Sequence, residues 1–267
     1  MSARGAKLVR CCCVIPVFNH AATAPAVIDR ARDVMRDVLV IDDGSDDLDL
    51  AKLYAGTDVE VVRHPRNLGK GAALLTAVRT LAPRGFDYMI TLDADEQHDP
   101  DDIRRFLPLL ESGGRTLVAG IRDFSVPNVP VRSKIGRALS DFCFFVETGK
   151  RISDSQSGFR AYPLKYVSRI RCTSHHYDFE TELLTRCMWA GLELAEVPIS
   201  TRYDPPGKRV SHFRPFRDNG RMVLLHARLV LRRIFPFGAG KLRDEACEPV
   251  PAADAAGSGA NPGRLPS

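Results

Sequence analysis

No uncharged apolar stretch in this chain approaches the ~20 residues that a membrane-spanning helix requires. None of its seven cysteines stands in a C-x-x-C pair. The first absence argues against an internal anchor. The second argues against a metal or disulfide framework, and Cys11, Cys12 and Cys13 read as small buried hydrophobes in a reducing compartment. No signal peptide is expected, because the apolar run Cys11–Val17 is short and ends in Phe18-Asn19-His20. G-x-x-x-x-G-K-S/T is absent, and so is G-x-G-x-x-G after the first strand, which removes support for ATPase and NAD-dependent readings. There is no internal repeat and no interleaving of aromatic and basic residues, so no nucleic acid partner is expected. The net charge of +5 favours anionic ligands only mildly.

What is present is an alternation of strand and helix signals. Strands are expected at Leu8–Val17, Val38–Ile41, Val59–Val62, Phe86–Leu92 and Thr116–Ile121. Helices are expected from Ala24 to Met35, Asp46 to Ala55, Gly69 to Leu81 and Pro100 to Leu110. This rhythm predicts parallel βαβ units. Beyond Arg122 come a proline-rich loop, a helix over Arg132–Phe145 and a loop from Ser153 that leads into a short extended piece. A helix over Asp178–Ala190, a strand over Leu192–Ser200, a basic loop over Arg202–Phe213 and a basic helix over Phe216–Phe235 follow. The Ala/Pro/Gly/Ser-rich tail 246–267 reads as disordered.

The most informative segment is Asp93-Ala94-Asp95-Glu96-Gln97-His98-Asp99-Pro100. Asp99 to Asp102 is explained as a capped helix start. Asp93 and Asp95 are not. They end a buried strand, at the sheet edge where open α/β sheets bind ligands. On an extended segment they point the same way, and two adjacent carboxylates call for a hard cation, Mg²⁺ or Mn²⁺, shared with a diphosphate. Asp42-Asp43-Gly44-Ser45 and the end of strand one, through Phe18 and Asn19, would face the same crevice if strands one and two are neighbours. A carboxylate there can accept bonds from a base or a ribose. In Asn67-Leu68-Gly69-Lys70-Gly71, free backbone N–H groups and the Lys70 charge suit a diphosphate. Asp154 reads equally as a general base, a positioner of the acceptor, or a turn cap. Glu182 lies one turn past Asp178 and reads as part of a solvated acidic first turn. The loop around Lys208 and Ser211 reads as a lid or as a solvated charged loop.

In this order the motifs Val-Ile-Pro-Val-Phe-Asn, Asp-Asp-Gly-Ser, Asn-Leu-Gly-Lys-Gly-Ala, Asp-Ala-Asp-Glu-Gln-His-Asp-Pro and Ser-Gly-Phe-Arg resemble the inverting family-two glycosyltransferases of the GT-A fold. Within them the chain looks most like the dolichyl-phosphate mannose synthase and polyprenyl-phosphate glycosyltransferase branch, over roughly residues 8 to 215. The resemblance implies an α/β, Rossmann-like, mostly parallel sheet flanked by helices. Residues 8–122 would form the nucleotide-sugar part, 123–215 the acceptor side and 216–235 a basic amphipathic helix, together one domain over 1–245. It implies that Pro16 and Asp42 line the nucleotide pocket. Asp93, Asp95 and Gln97 match the metal and diphosphate positions, Arg122 and Arg132 the arginines on the acceptor phosphate, and Lys208 to His212 the mobile loop. Three features depart from the family: His20 replaces the usual Glu, Ser211-His212 replaces Ser-Lys, and no C-terminal membrane segment follows.

The implied reaction moves a sugar from a UDP- or GDP-linked donor to an acceptor with inversion. The acceptor is polyprenyl or dolichyl phosphate, or a hydroxyl, for which Asp154 would be the base. The catalytic set is Asp154, Asp95, Arg122 and Arg132. The donor set adds Pro16, Phe18, Asn19, Asp42, Asp43, Lys70, Asp93, Lys208 and Ser211. A non-catalytic sugar-nucleotide sensor is the rival outside the enzyme class. A nucleotidyltransferase is disfavoured by the lack of a glycine-rich basic loop after strand one. Arg217, Arg221, Arg228 and Arg232 share one helical face, which fits either an interfacial helix on anionic lipid or a charged outer face. The expected location is cytoplasmic, peripheral on the inner face of the membrane through lipid contact or a membrane-protein partner.

Overall fold

The computed structural model of the protein describes residues 9–110, 114–126, 129–202 and 215–235. Seven strands form one sheet in the order β3-β2-β1-β4-β6-β5-β7. They are β1 (Cys11–Val17), β2 (Val38–Asp42), β3 (Glu60–Arg63), β4 (Tyr88–Thr91), β5 (Thr116–Arg122), β6 (Arg160–Pro163) and β7 (Glu193–Ile199). Only β6 runs against its neighbours β4 and β5; the other pairings are parallel. The helices are α1 (Ala24–Val34), α2 (Leu50–Leu53), α3 (Lys70–Leu81), α4 (Ile103–Leu110), α5 (Val131–Thr148), α6 (Leu164–Val167), α7 (Asp178–Trp189) and α8 (Pro215–Ile234).

Period-two alternation divides the core. Cys12, Val14, Leu39 and Ile41 meet α3 and α7 on one face, through Leu74, Ala77, Leu183 and Leu184. Cys13, Ile15, Val38 and Val40 meet α1 and α4 on the other, through Ile28, Ala31 and Phe106. A sheet covered on both faces explains why β2 is buried at all five positions. Cys12 and Cys13 are buried as expected, and burial raises both thiols above their ordinary value.

Two expectations change. The helix expected over Asp46–Ala55 shrinks to Leu50–Leu53. Its acidic leader is held by loop contacts instead: Asp46 donates its N–H to Asn19 Oδ1 at 3.0 Å, and Asp47 accepts from the Ala21 N–H at 2.8 Å. Asp93 and Asp95 do not lie on an extended segment either. β4 stops at Thr91, Ala94-Asp95 turns, and Glu96 adopts a left-handed φ of 59°. Among the described residues no helix is long and apolar enough to cross a membrane.

Candidate active site

Parallel pairing of β1 with β2 and β4 brings three strand tips together at the carboxyl edge. Val17 pairs in register with Asp42, and Pro16 with Ile41. The loops behind these tips are cross-tied. Asn19, at a left-handed φ of 52°, donates its N–H to Ser45 Oγ at 3.1 Å and accepts from Asp46. Asn19 is thus a loop clamp between the first two strand ends.

The two acids of Asp42-Asp43 separate into different tasks. Asp43 accepts from His64 Nδ1 at 2.7 Å, from the Leu68 N–H at 2.9 Å and from the Gly69 N–H at 2.8 Å. Its lone pairs hold the glycine loop in place. Asp42 is fully buried, with Oδ1 on the Ser45 N–H at 2.8 Å. Its Oδ2 has no hydrogen-bond partner and sits 3.5 Å from Arg63 Nη1. A buried carboxylate oxygen left in that state favours a ligand N–H or O–H.

Lys70, expected to face a diphosphate, pairs with two carboxylates. Its ammonium lies 2.6 Å from Asp93 Oδ1 and 2.8 Å from Glu180 Oε2. Burial alone pulls Lys70 down; the two carboxylates outweigh it and hold the ammonium above its ordinary value. Burial pushes Asp93 up, and Lys70 more than offsets this, so Asp93 stays below the usual carboxylate range. Gly158 closes the third side of this triad. A Cβ there would sit 2.9 Å from both Asp93 Oδ2 and Lys70 Nζ, and 3.2 Å from Glu180 Oε1. Glu180 Oε1 is buried without a hydrogen-bond partner. Glu180 escaped the sequence reading because only the tertiary fold brings α7 against the start of α3.

Asp95 Oδ1 accepts from the Gln97 N–H at 3.1 Å, which closes an Asx turn. The loop then joins the far edge of the sheet: Gln97 O accepts from the Arg202 N–H at 2.9 Å, and His98 bridges to Thr201. Arg202 leads into the basic segment; Lys208 and Ser211 lie outside the described residues. His98 packs at a tilt beside Phe159 with ring centroids 5.6 Å apart, and burial drives its imidazole down to about 4, so it is neutral at pH 7.

Between α5 and β6, Asp154 is fully buried. Oδ2 takes Arg122 Nε at 2.6 Å and Oδ1 takes Arg122 Nη2 at 2.9 Å. Oδ1 also accepts from the Gln156 N–H at 3.2 Å. A carboxylate forked onto a guanidinium in this way anchors the arginine. Arg132 lies in the first turn of α5, and its side chain lies outside the described residues. A different arginine meets Arg122: the guanidiniums of Arg122 and Arg137 lie 5.1 Å and 4.2 Å from the ring centre of Phe124. Arg160, fully buried, donates to Ser155 O at 2.6 Å and to Glu180 O at 2.9 Å, and so ties the Ser-Gly-Phe-Arg loop to α7.

Glu182, expected to be solvated, is buried instead. It accepts from the N–H groups of Thr173 at 3.0 Å and Ser174 at 2.8 Å and pairs with Arg186 at 2.8 Å.

An acidic turn, a glycine loop and an anchored arginine thus stand at the strand ends of an α/β sheet, the edge at which open sheets of this class bind ligands. The profile of glycosyl transferase family 2 matches residues 12–170, and the chain belongs to that family. It is a glycosyltransferase with a GT-A fold. It is 28% identical over 214 residues to the UDP-N-acetylglucosamine–dolichyl-phosphate N-acetylglucosaminyltransferase of Methanococcus voltae, covering 71% of this chain and 84% of that protein. It is 29% identical over 199 residues to the undecaprenyl-phosphate mannosyltransferase of Micrococcus luteus, covering 70% and 81%. Among solved structures it resembles glucosyl-3-phosphoglycerate synthase of Mycobacterium tuberculosis in complex with Mn²⁺, UDP-glucose and phosphoglyceric acid. The TM-score is 0.62 at 22% identity, over 84% of this chain and 79% of that one.

Proposed function

We propose that this enzyme transfers a sugar, with inversion, from a UDP- or GDP-linked donor to a polyprenyl or dolichyl phosphate at a membrane surface. The observation that carries this reading is the Arg122–Asp154 fork. It leaves the acceptor side with a fixed guanidinium and takes up the carboxylate that a hydroxyl acceptor would have used as its base. A phosphate monoester is already an anionic nucleophile and needs orientation more than deprotonation. Arg122 and Arg137, both beside the Phe124 ring, supply that orientation. The relatives named for dolichyl and undecaprenyl phosphate support the same acceptor class.

Asp93, Asp95 and Gln97 offer only oxygen ligands at the strand tip, which suits Mg²⁺ or Mn²⁺. Among the described residues no three His, Cys, Asp or Glu side chains gather into a closed metal site. A donor set this small fits a cation whose coordination is completed by diphosphate oxygens. The bound cation would supply charge neutralisation at the leaving diphosphate. The protein's own part is positional. Lys70 and Glu180 hold Asp93, Asn19 and Asp43 hold the donor loops, Asp42 Oδ2 receives the nucleoside, and Asp154 holds Arg122. Residues 8–122 then form the donor half and 123–215 the acceptor half. Lys208 and Ser211 belong to the segment that closes over the donor.

A second reading, a hydroxyl acceptor, rests on Glu180 Oε1, a buried carboxylate oxygen left without a hydrogen-bond partner beside Lys70 and Asp93. Purified protein offered UDP- and GDP-sugars with polyprenyl phosphate and Mn²⁺ tests the choice. Lipid-linked sugar phosphate as product upholds the first reading. Transfer only to hydroxyl acceptors refutes it, and nucleotide binding without any transfer refutes both.

A further inference from the structure

A cavity of about 260 Å³ opens beside the acidic turn. One wall is α1, a second is the turn from Glu96 to Pro100, and a third is the segment from Ser200 to Arg202 that follows β7. None of Asp42, Lys70, Asp93, Arg122 and Asp154 lines it, so it shares with the carboxyl-edge crevice only the turn itself. Its walls hold polar atoms that the fold leaves unsatisfied. Thr201 Oγ1 and His98 Nδ1 are both buried without a hydrogen-bond partner, and the two residues are bridged to each other. Buried groups in that state call for a partner. Ala26, Val27 and Pro100 add an apolar bed.

We propose that this cavity is an accessory site for one neutral sugar ring, separate from the sugar that is transferred. Charge selects the ligand class. Two guanidiniums, Arg30 and Arg202, line it together with two carboxylates, Glu96 and Asp99, so the lining carries no net charge. Arg30 is already committed to Asp99 and, at 3.0 Å, to Asp101. An anion would have to displace those carboxylates and lie beside Glu96, and a cation would lie beside both arginines. A neutral ligand rich in hydroxyls uses both signs, because a hydroxyl donates to a carboxylate and accepts from a guanidinium. Size narrows the choice further. The volume falls below the ~300–1,000 Å³ of pockets for drug-sized ligands, which leaves room for one ring and not for an oligosaccharide. The C–H face of a pyranose matches the apolar bed, and its hydroxyls match the charged rim. Position gives the site a role. Gln97 O accepts from the Arg202 N–H at 2.9 Å, and Asp95 Oδ1 accepts from the Gln97 N–H at 3.1 Å. Cavity wall and acidic turn are therefore one hydrogen-bonded strip, and a ring seated there braces the turn from behind. The inference holds for either acceptor class.

The test is an amide proton–nitrogen correlation spectrum of the full chain, titrated with methyl α-mannoside, methyl β-glucoside and methyl β-N-acetylglucosaminide, with and without saturating UDP and Mn²⁺. The Gln97, Thr201 and Arg202 amides are expected to shift in both conditions, with half-saturation on the order of 1 mM, while those of Ser45 and Gly69 stay in place. Ala26 is an exposed residue of α1 that lines the cavity. Ala26→Trp should fill the space and weaken the sugar at least ~tenfold, with melting temperature and UDP affinity at parent values. Thr201→Val should weaken it about fivefold, the loss of one neutral hydrogen bond. Absence of shifts with all three glycosides overturns the proposal, as does equal titration of parent and Ala26→Trp. Shifts that vanish when UDP and Mn²⁺ are present would put the sugar in the donor crevice and also overturn it. Inorganic phosphate moving the same amides at lower concentration than the glycosides would make this an anion site instead. Shifts in a protein that fails to bind UDP or GDP would uphold the accessory site and refute the donor reading alone.

Discussion

Gly158→Ala isolates the Asp93–Lys70–Glu180 triad from every other feature of the site. Gly158 is not in the left-handed region, so its backbone admits alanine, and the whole penalty comes from the added methyl. That methyl would meet Asp93 Oδ2 and Lys70 Nζ at 2.9 Å, about half an ångström inside the ordinary contact distance of 3.4 Å. The three ends are flexible in principle. Here Lys70 Nζ is already 2.6 Å from Asp93 Oδ1 and cannot approach further, so the carboxylates must move outward. Overpacking of this kind costs about 1–3 kcal/mol. For a domain of this size that lowers the melting temperature by roughly 2–10 °C. A displacement of a few tenths of an ångström at Asp93 should lower kcat/KM roughly tenfold, on a scale where a full ångström costs about 10²-fold. The assay is donor turnover beside a thermal melt. Gly220→Ala, in α8 with open space around the added methyl, is the matched control. It should be neutral in turnover and stabilising by about 0.5–1 kcal/mol. Parent-level activity and melting temperature in Gly158→Ala would refute the triad as the support of Asp93.

Asp154→Asn should raise the KM for a phosphorylated acceptor more than that for the donor. It should destabilise by about 3–5 kcal/mol, because Arg122 loses a fully buried partner; an unchanged acceptor KM would remove Arg122 from that site. Asp95→Ala should abolish turnover, and a variant that still turns over at parental Mn²⁺ concentrations would exclude Asp95 from cation binding. Glu182 carries a pH prediction. Burial raises its carboxyl, but the Ser174 contacts and Arg186 prevail and hold it below its ordinary value of 4.5. Its ionised form is therefore favoured in the folded state. That stabilisation is complete above the unfolded value and is lost as pH falls through the lower folded one. Urea unfolding of Glu182→Gln should show a smaller loss between neutral pH and pH ~3 than the parent; equal slopes would refute it.

The sheet was legible because its signals are local. Val38–Ile41 and Thr116–Ile121 are apolar runs bounded by turn formers, and period two assigns their faces without knowledge of partners. The family motifs were legible for the same reason, since each is a strand end followed by its turn. The α2 region was misjudged where side chains compete for the backbone. Asp46 and Asp47 bond to loop atoms contributed by Asn19 and Ala21, and no window of sequence contains both partners. The extended course expected for Asp93 to Asp95 gives way to a turn at Ala94-Asp95, followed by Glu96 at a left-handed φ.

From residue order alone follow the βαβ framework, the strand that ends in acids and the presence of an arginine just beyond β5. These depend on hydrogen-bond periodicity and turn chemistry within a few residues. Only the folded chain decides that Lys70 pairs with Asp93, that Asp154 grips Arg122, and that an oily row on α5 faces outward. Each of these depends on distance between segments remote in sequence. Charges pair with whatever counter-ion the packing brings within about 3 Å, and a helix shows the same amphipathic period whichever side it turns to the core.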